Sequence, residues 1–246
     1  MPDLILSDIH ANWEALSAAL GSASGHYDRI VCCGDLIGYG PDPNRVLDWV
    51  RSNVAIVIRG NHDKAAAGLE NLEWFNPVAR TAALWTLQQL TPENLEYTKR
   101  LPKGPVEVDG YLVAHGSPLD EDEYMTSTAE ASQAFAYLDH DVVFFGHTHV
   151  QGGFAMSNRR VRALAGPALR ADPAVLDLSQ DESYLLNPGS IGQPRDGDPR
   201  AAFVLFDTSK RRVFYHREPY DIATVQAKIR RAGLPDILAD RLAVGQ

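Results

Sequence analysis

The 246-residue chain holds two cysteines, and they are adjacent, Cys32 and Cys33 in RIVCCGD. Neighbouring strand residues point to opposite faces, so the pair reads as part of a buried strand and not as a disulfide. Without a disulfide framework, and with no signal peptide ahead of MPDLILSDIHAN, the chain is expected to be cytoplasmic. No apolar run approaches the roughly 20 residues needed to cross a bilayer, which argues against membrane insertion. Positive charge is scarce as well: 23 Lys and Arg stand against 32 Asp and Glu, a formal charge of −9. That balance argues against a duplex nucleic-acid binder, which carries a basic stripe. It leaves small phosphorylated substrates open, because bound metal ions supply positive charge locally. An acidic surface does not fix stoichiometry, so a homo-oligomer also stays open.

There is no internal repeat, low-complexity tract or linker; the chain instead alternates its elements in a regular order. Leu4–Leu6, Arg29–Cys33 and Val54–Ile58 are apolar strand candidates, separated by helical spacing over Asn12–Leu20 and Asn44–Arg51. Apolar strands alternating with helices predict a parallel α/β unit buried on both faces. Leu69–Arg100 is helical, with breaks at Asn76-Pro77 and Thr91-Pro92. Asp109-Gly110 predicts a hairpin between Val106–Val108 and Tyr111–Ala114. Ser127 with Glu130 forms a capping box opening a helix to Leu138. Short strands follow at Gly153–Met156, Val161–Leu164, Val175–Leu178 and Tyr184–Leu186, then a hairpin of Ala201–Phe206 with Arg212–His216. An amphipathic helix over Ile222–Leu242 is broken near Gly233-Leu234-Pro235. Two packed sheets covered by helices, in one domain over residues 1–246, are the expected arrangement.

The chemistry gathers where apolar strands end. DHDVVFFGHTHVQGG runs a buried strand into His147 and His149, two imidazoles at i and i+2 that should leave the strand on one side. SDIH places Asp8 and His10 after the first strand, CCGD places Asp35 after the second, and IRGNHD places Asn61, His62 and Asp63 after the third. LVAHG places His115 after the hairpin strand. Singly, each has a bland reading: Asp8 as a cap for the helix near Asn12, Asn61 as a turn residue, His115 as a core histidine. Together they are a pattern, since five of eight histidines follow apolar strands while His26, His140 and His216 sit in polar or edge contexts. Ligands in open α/β sheets gather at the carboxyl ends of strands, so these residues should converge. Two aspartates, one asparagine and four histidines exceed what one tetrahedral ion takes. Shared between two divalent ions, with a bridging carboxylate, they fit. Nitrogen and oxygen donors without thiolate suit Mn, Fe, Zn, Co or Ni. The net charge left at such a site is positive, and two ions about 3.5–4 Å apart clamp a phosphoryl group.

Asp8-x-His10, Gly34-Asp35, Gly60-Asn61-His62-Asp63, His115 and Gly146-His147-x-His149 resemble, in order and spacing, the signature of calcineurin-like metallophosphoesterases. LLNPGSIGQPRDGDPRAAF resembles a segment of the small prokaryotic phosphodiesterase branch, and GDLIGYGPDPN is similar to proteins related to diadenosine tetraphosphatases. The resemblance implies a four-layer α/β/β/α sandwich of two mixed sheets flanked by helices. It implies that Asp8, His10 and His149 hold one ion, that Asp35 bridges, and that Asn61, His115 and His147 complete the second, with manganese the favoured metal. His62 would contact the phosphate and protonate the leaving group, and Asp63 would orient His62 through its other ring nitrogen. The implied reaction is in-line attack on phosphorus by a metal-bridging hydroxide. The Asn187-Pro188-Gly189-Ser190 turn would lie near the metals.

Around the site, Tyr39 either lines the cleft and stacks a base or packs as a loop aromatic. Arg195 and Arg200 either meet a second phosphate or make surface salt bridges. Trp74 and Phe75 either rim the pocket or pack in the core. The 165–181 stretch, rich in Pro, Ala and Asp, departs from the compact pattern of the smallest relatives. The expected activity is a metal-dependent phosphodiesterase on a small nucleotide-type substrate. A dinucleoside polyphosphate hydrolase and a phosphatase on monoesters or phosphoproteins are the enzymatic alternatives. A protein-binding scaffold that keeps the fold is the non-enzymatic one, and the intact ligand positions tell against it.

Overall fold

In a computed structural model of the chain, residues 1–164 and 173–246 are described, without the Trp74 side chain. One sheet is assembled from β1 (Asp3–Leu6), β2 (Arg29–Cys32), β3 (Ile56–Val57), β9 (Ala174–Asp177), β11 (Ala201–Asp207) and β12 (Arg212–Glu218), in the order β3-β2-β1-β11-β12-β9. Strands β1, β2 and β3 are parallel, and β11 returns antiparallel to β1. The second sheet is built from β4 (Val106–Val108), β5 (Tyr111–Val113), β6 (Val142–Phe144), β7 (Gly152–Ser157), β8 (Arg160–Ala163) and β10 (Ser183–Asn187). Its order is β4-β5-β6-β10-β7-β8, with β5, β6 and β10 parallel at its centre.

Alternation along the strands decides what lies between the layers. Ile5, Val31 and Cys33 point inward to meet Val113, Phe144 and Leu186 of the second sheet, and this is the core between the sheets. Leu4, Leu6, Ile30 and Cys32 point outward under α1 (Trp13–Ala23) and α2 (Pro43–Asn53). Val143, Phe145 and Leu185 point outward on the other side, under α6 (Thr128–Phe135). The layers are therefore helix, sheet, sheet, helix, as the sequence led one to expect, and Cys32 and Cys33 are buried free thiols on opposite faces.

The remaining helices are α3 (Asn61–Ala66), α4 (Pro77–Gln89), α5 (Pro92–Lys99), α7 (Ile222–Arg231) and α8 (Asp236–Asp240). Asn12 caps α1 by accepting from Ala15 N at 3.1 Å, which frees Asp8 from the capping alternative. The third strand is shorter than expected, because Val54 N still bonds Val50 O and so closes α2. Asp109 and Gly110 both take positive φ, as the hairpin turn between β4 and β5 requires. Helix α6 ends at Phe135, three residues earlier than the sequence suggested. Of the 165–181 stretch, 165–172 lies outside the described residues and Ala174–Asp177 forms the edge strand β9. Among the described residues no helix is long and apolar enough to cross a membrane.

Phe144 is fully buried between the sheets, with its ring edge-on to Tyr111 (5.6 Å) and near Phe206 (5.3 Å). Phe144→Ala should cost about 3–5 kcal/mol, the range for removing a buried phenyl ring. Urea unfolding checks this, and a loss under about 1 kcal/mol would mean that the two sheets do not depend on this contact.

Candidate metal centre

The parallel strands of both sheets deliver their carboxyl ends to one place. Asp8 and His10 follow β1, Asp35 follows β2, Asn61 and His62 open α3 after β3, His115 follows β5, and His147 and His149 follow β6. Asp8, Asp35, His10, His115 and His149 are buried to 1% exposure or less. Their backbone is unusual: Asp8, His10, Asp35, His147 and His149 all have φ between 48° and 66°. Non-glycine residues in this left-handed region cost on the order of 1 kcal/mol or more each, so the surrounding contacts must hold them there. Two glycines allow the strand ends to close in. A Cβ on Gly60 would sit 2.1 Å from Asp35 Oδ1, and one on Gly146 would sit 2.0 Å from Ser7 Oγ.

Backbone carbonyls fix how the imidazoles face. His10 Nδ1 lies 3.2 Å from Ile37 O, His115 Nδ1 2.8 Å from Cys33 O, and His149 Nδ1 2.6 Å from Gln193 O. A carbonyl only accepts, so each Nδ1 donates and Nε2 is left facing the centre. There the Nε2 atoms of His10 and His149 stand 3.0 Å apart, with Asp35 Oδ2 at 3.6 Å from His10 and Asp8 Oδ1 at 3.4 Å from His149. Burial holds both imidazoles well below their ordinary pKa, so neither carries a second proton. Two lone pairs facing each other beside two carboxylates form a donor set that suits a cation.

A second set shares Asp35. His115 Nε2 lies 3.4 Å from Asp35 Oδ2 and 3.2 Å from Asn61 Oδ1. His147 Nε2 and Asp35 Oδ2 are buried with no hydrogen-bond partner. The donor atoms of Asp8, His10, Asp35 and His149 lie within 4.8 Å of one another, as do those of Asp35, His115 and His147. Orphaned buried donors in two groups with a common carboxylate fit two cations bridged by Asp35. His149 falls in the first group and His147 in the second. The regular strand ends at Phe144, and both residues then turn through left-handed backbone.

The other expected residues divide. His62 is 5% exposed, its Nδ1 without a partner, its ring set against Tyr39 (4.3 Å), the edge of His10 (5.0 Å) and Phe75 (5.7 Å). Asp63 does not orient it. Both Asp63 oxygens are taken by backbone N–H groups, Leu36 at 2.9 Å and Ile37 at 3.2 Å on one and Gly60 at 2.9 Å on the other. A carboxylate buried this deeply must be satisfied fully, and it staples α3 to the loop after β2. Tyr39 is buried in the cluster formed by α4, α7 and α8 and also faces the site. Arg195 lies 5.8 Å from the Tyr39 ring and donates to Gln193 Oε1 at 3.1 Å. Arg200 takes the salt-bridge alternative, gripping Asp198 at 2.7 Å. Phe75 lines a cavity and also packs on the helical cluster. His140 stands 3.7 Å from Glu107, and His216 stacks on Phe203.

Two participants, Tyr124 and Gln193, were not singled out in the sequence, whereas the Asn187–Ser190 turn was. Tyr124 stacks on His147 at 3.8 Å from within an acidic loop, and Gln193 acts through its backbone carbonyl. Ser190 Oγ donates to Asp8 O at 2.8 Å, and Asn187 Nδ2 donates to Gly146 O at 2.9 Å, so the Asn-Pro-Gly-Ser turn braces the ligand loops.

A family model for the calcineurin-like phosphoesterase superfamily domain matches residues 1–211. The chain belongs to this superfamily. It is 33% identical over 248 residues to the uncharacterized protein MJ0912 of Methanocaldococcus jannaschii, covering 98% of this chain and 97% of that one. Among solved structures, a metallophosphoesterase from Sphaerobacter thermophilus is 40% identical, with a TM-score of 0.86 over 100% of this phosphoesterase chain and 99% of that one. A hypothetical protein, PH1004, from Pyrococcus horikoshii OT3 shares the fold at 19% identity, with a TM-score of 0.78 over 100% and 98% of the two chains.

Proton linkage tests the centre directly. Burial lowers the His115 pKa, but the charge of the Asp35 carboxylate 3.4 Å away outweighs it and pushes it up to about 10; burial raises Asp8 to about 7. A cation at Nε2 of His115 must displace a proton held at pH 7, so affinity rises as pH climbs from about 6 toward 10. Calorimetric titration with Mn²⁺ in phosphate and in Tris buffers should show apparent enthalpies that differ by the buffers' ionisation heats. Identical enthalpies would mean that no proton leaves.

Proposed function

We propose that this member of the superfamily is a dinuclear metal-dependent phosphoesterase, acting as a phosphodiesterase on a small nucleotide-type ester. The observation that carries the reading is the pair of buried donor groups sharing Asp35. Asp8, His10, Asp35 and His149 would hold one ion, and Asp35, Asn61, His115 and His147 the other, with Mn²⁺ the favoured metal and Fe, Zn, Co or Ni compatible with the same donors. Bound there, two divalent ions supply Lewis acidity to a phosphoryl group and acidify water at neutral pH.

The side chains then have separable tasks. His62 borders the cavity that opens beside the centre. Burial pulls its pKa down to about 4, so in the free protein it is neutral. An anionic ester beside the ring raises that value and loads the imidazole with the proton a leaving oxygen needs. Tyr39 and Phe75 hold the ring by packing, and Asp63 acts on it only through the backbone of α3. Arg195, at the Tyr39 side of the centre, supplies a fixed positive charge for a phosphoryl oxygen. The cavity, about 360 Å³ and bordered by the rings of Tyr39, Phe75 and Tyr124, accommodates a nucleoside-sized group and supports the nucleotide-type assignment.

Protein stripped of metal, reloaded with Mn²⁺ and supplied with bis-p-nitrophenyl phosphate, p-nitrophenyl phosphate and diadenosine tetraphosphate should turn over the diester fastest. Asp35→Asn should lower that rate at least about a hundredfold, since it alters both donor groups at once. Preference for the monoester or the tetraphosphate would move the assignment accordingly, and silence on all three with two ions bound would leave a binding scaffold. His62→Ala should slow alkyl esters far more than nitrophenyl esters, because only the poor leaving group needs the proton. A uniform loss across both would remove His62 from the general-acid role.

A further inference from the structure

The cavity beside the centre has two walls and a characteristic charge. Its inner end is formed by Asn61, His62 and His147. One wall carries Glu70, Asn71 and Phe75, and the other carries Asp122 and Tyr124. Among the described residues that line it there is no Lys or Arg; its charged groups apart from the histidines are the carboxylates of Glu70 and Asp122. Arg195 stands against Tyr39 of the lining, and a second cation pairs with the two carboxylates. Lys64, 5% exposed on α3, reaches Glu70 Oε2 at 3.3 Å, Asp122 Oδ2 at 2.6 Å and Glu121 Oε1 at 3.2 Å. Arg59 fastens Glu121 from the far side, at 2.9 and 3.0 Å. One buried ammonium therefore ties Glu70 to Asp122, gripping both oxygens of Asp122 at 2.6 and 2.8 Å, while Glu70 Oε1 also accepts from Asn71 N at 3.2 Å; each oxygen keeps a further lone pair for a donor in the cavity.

Such a lining is selective. A carboxylate oxygen accepts hydrogen bonds and donates none while ionised, so it suits hydroxyl or amino donors and repels a phosphate. The rings of Tyr39, Phe75 and Tyr124 in the lining suit a planar ring. The position of His62 on the inner end makes this the side from which a leaving oxygen departs.

Resting on the phosphoesterase reading above, we infer that this cavity receives the leaving half of the substrate, and that this half is an uncharged ring-bearing group rich in hydroxyl or amino donors, a nucleoside in chemical class, without a phosphate of its own. Bond cleavage is ordinary hydrolysis: the P–O bond to the nucleoside breaks, water supplies the new P–O bond, and the departing oxygen takes a proton. A dinucleoside monophosphate satisfies the lining. A dinucleoside polyphosphate, whose leaving half begins with phosphate, does not.

The test uses the Mn²⁺-loaded protein and three substrates: bis-p-nitrophenyl phosphate, adenylyl-adenosine with its single bridging phosphate, and diadenosine tetraphosphate. The expected kcat/KM for adenylyl-adenosine is at least tenfold above that for the tetraphosphate. Glu70→Gln combined with Asp122→Asn should shrink this ratio about tenfold and weaken adenosine binding, followed by calorimetry, to a similar degree. Turnover of the nitrophenyl diester with the tetraphosphate preferred overturns the inference and leaves the phosphoesterase reading standing. An unchanged ratio and unchanged adenosine affinity in the double variant overturn it as well. No turnover of the nitrophenyl diester removes both readings. Circular dichroism and thermal unfolding of the double variant separate a changed lining from a misfolded loop.

Discussion

Two carboxylates, Asp8 and Asp35, are removed from water altogether, and each lies against histidines whose lone pairs face the same small space. An isolated buried carboxylate is among the most costly groups a protein can hold. The neutral imidazoles of His10 and His149 do not offset that cost, because their Nδ1 protons are committed to the carbonyls of Ile37 and Gln193. Only positive charge at the centre balances the arrangement. Protons on Asp8 and His115 serve in part, and divalent cations serve fully. The architecture follows from this requirement: five loops must arrive together, from two sheets, with their donors aimed at one point.

That convergence is achieved against local preference. The parallel strands β1, β2, β5 and β6 point the same way, so their carboxyl ends share an edge, but the donors turn inward only through left-handed backbone at Asp8, His10, Asp35, His147 and His149. Gly60 and Gly146 remove the Cβ atoms that would collide with Asp35 and Ser7. The Asn187–Ser190 turn then ties the loops to each other through Gly146 O and Asp8 O. Strain at the centre is thus held in part by hydrogen bonds just outside it.

The lining of the cavity beside the centre uses a different layer. Tyr39 is set by the apolar cluster of α4, α7 and α8, elements far apart in the chain, and presses His62 into place. The opposite wall is set by charge, with Lys64 and Arg59 gathering Glu70, Glu121 and Asp122. Packing thus places the His62 ring and ion pairs place the carboxylates, while His62 is also joined to the donor groups through its backbone N–H to Asp35 Oδ1 at 2.8 Å and its edge contact with His10.

The strand-end placement of Asp8, His10, Asp35, Asn61, His115, His147 and His149 was legible in the sequence, because it requires only strand periodicity and the glycine-bounded turns beside each residue. The layer order was legible for the same reason, since alternation in Leu4-Ile5-Leu6 and Val142-Val143-Phe144 assigns each face. Other features were decided by tertiary structure. Asp63 lies beside His62 in the chain yet serves the amides of Leu36, Ile37 and Gly60, because a helix start folded onto a neighbouring loop brings them within reach. Tyr124, Glu70 and Asp122 gather round one cavity only when two loops about fifty residues apart are drawn together on Lys64. Local pattern determines which residues a strand carries to its end; the meeting of separate loops determines what those residues touch.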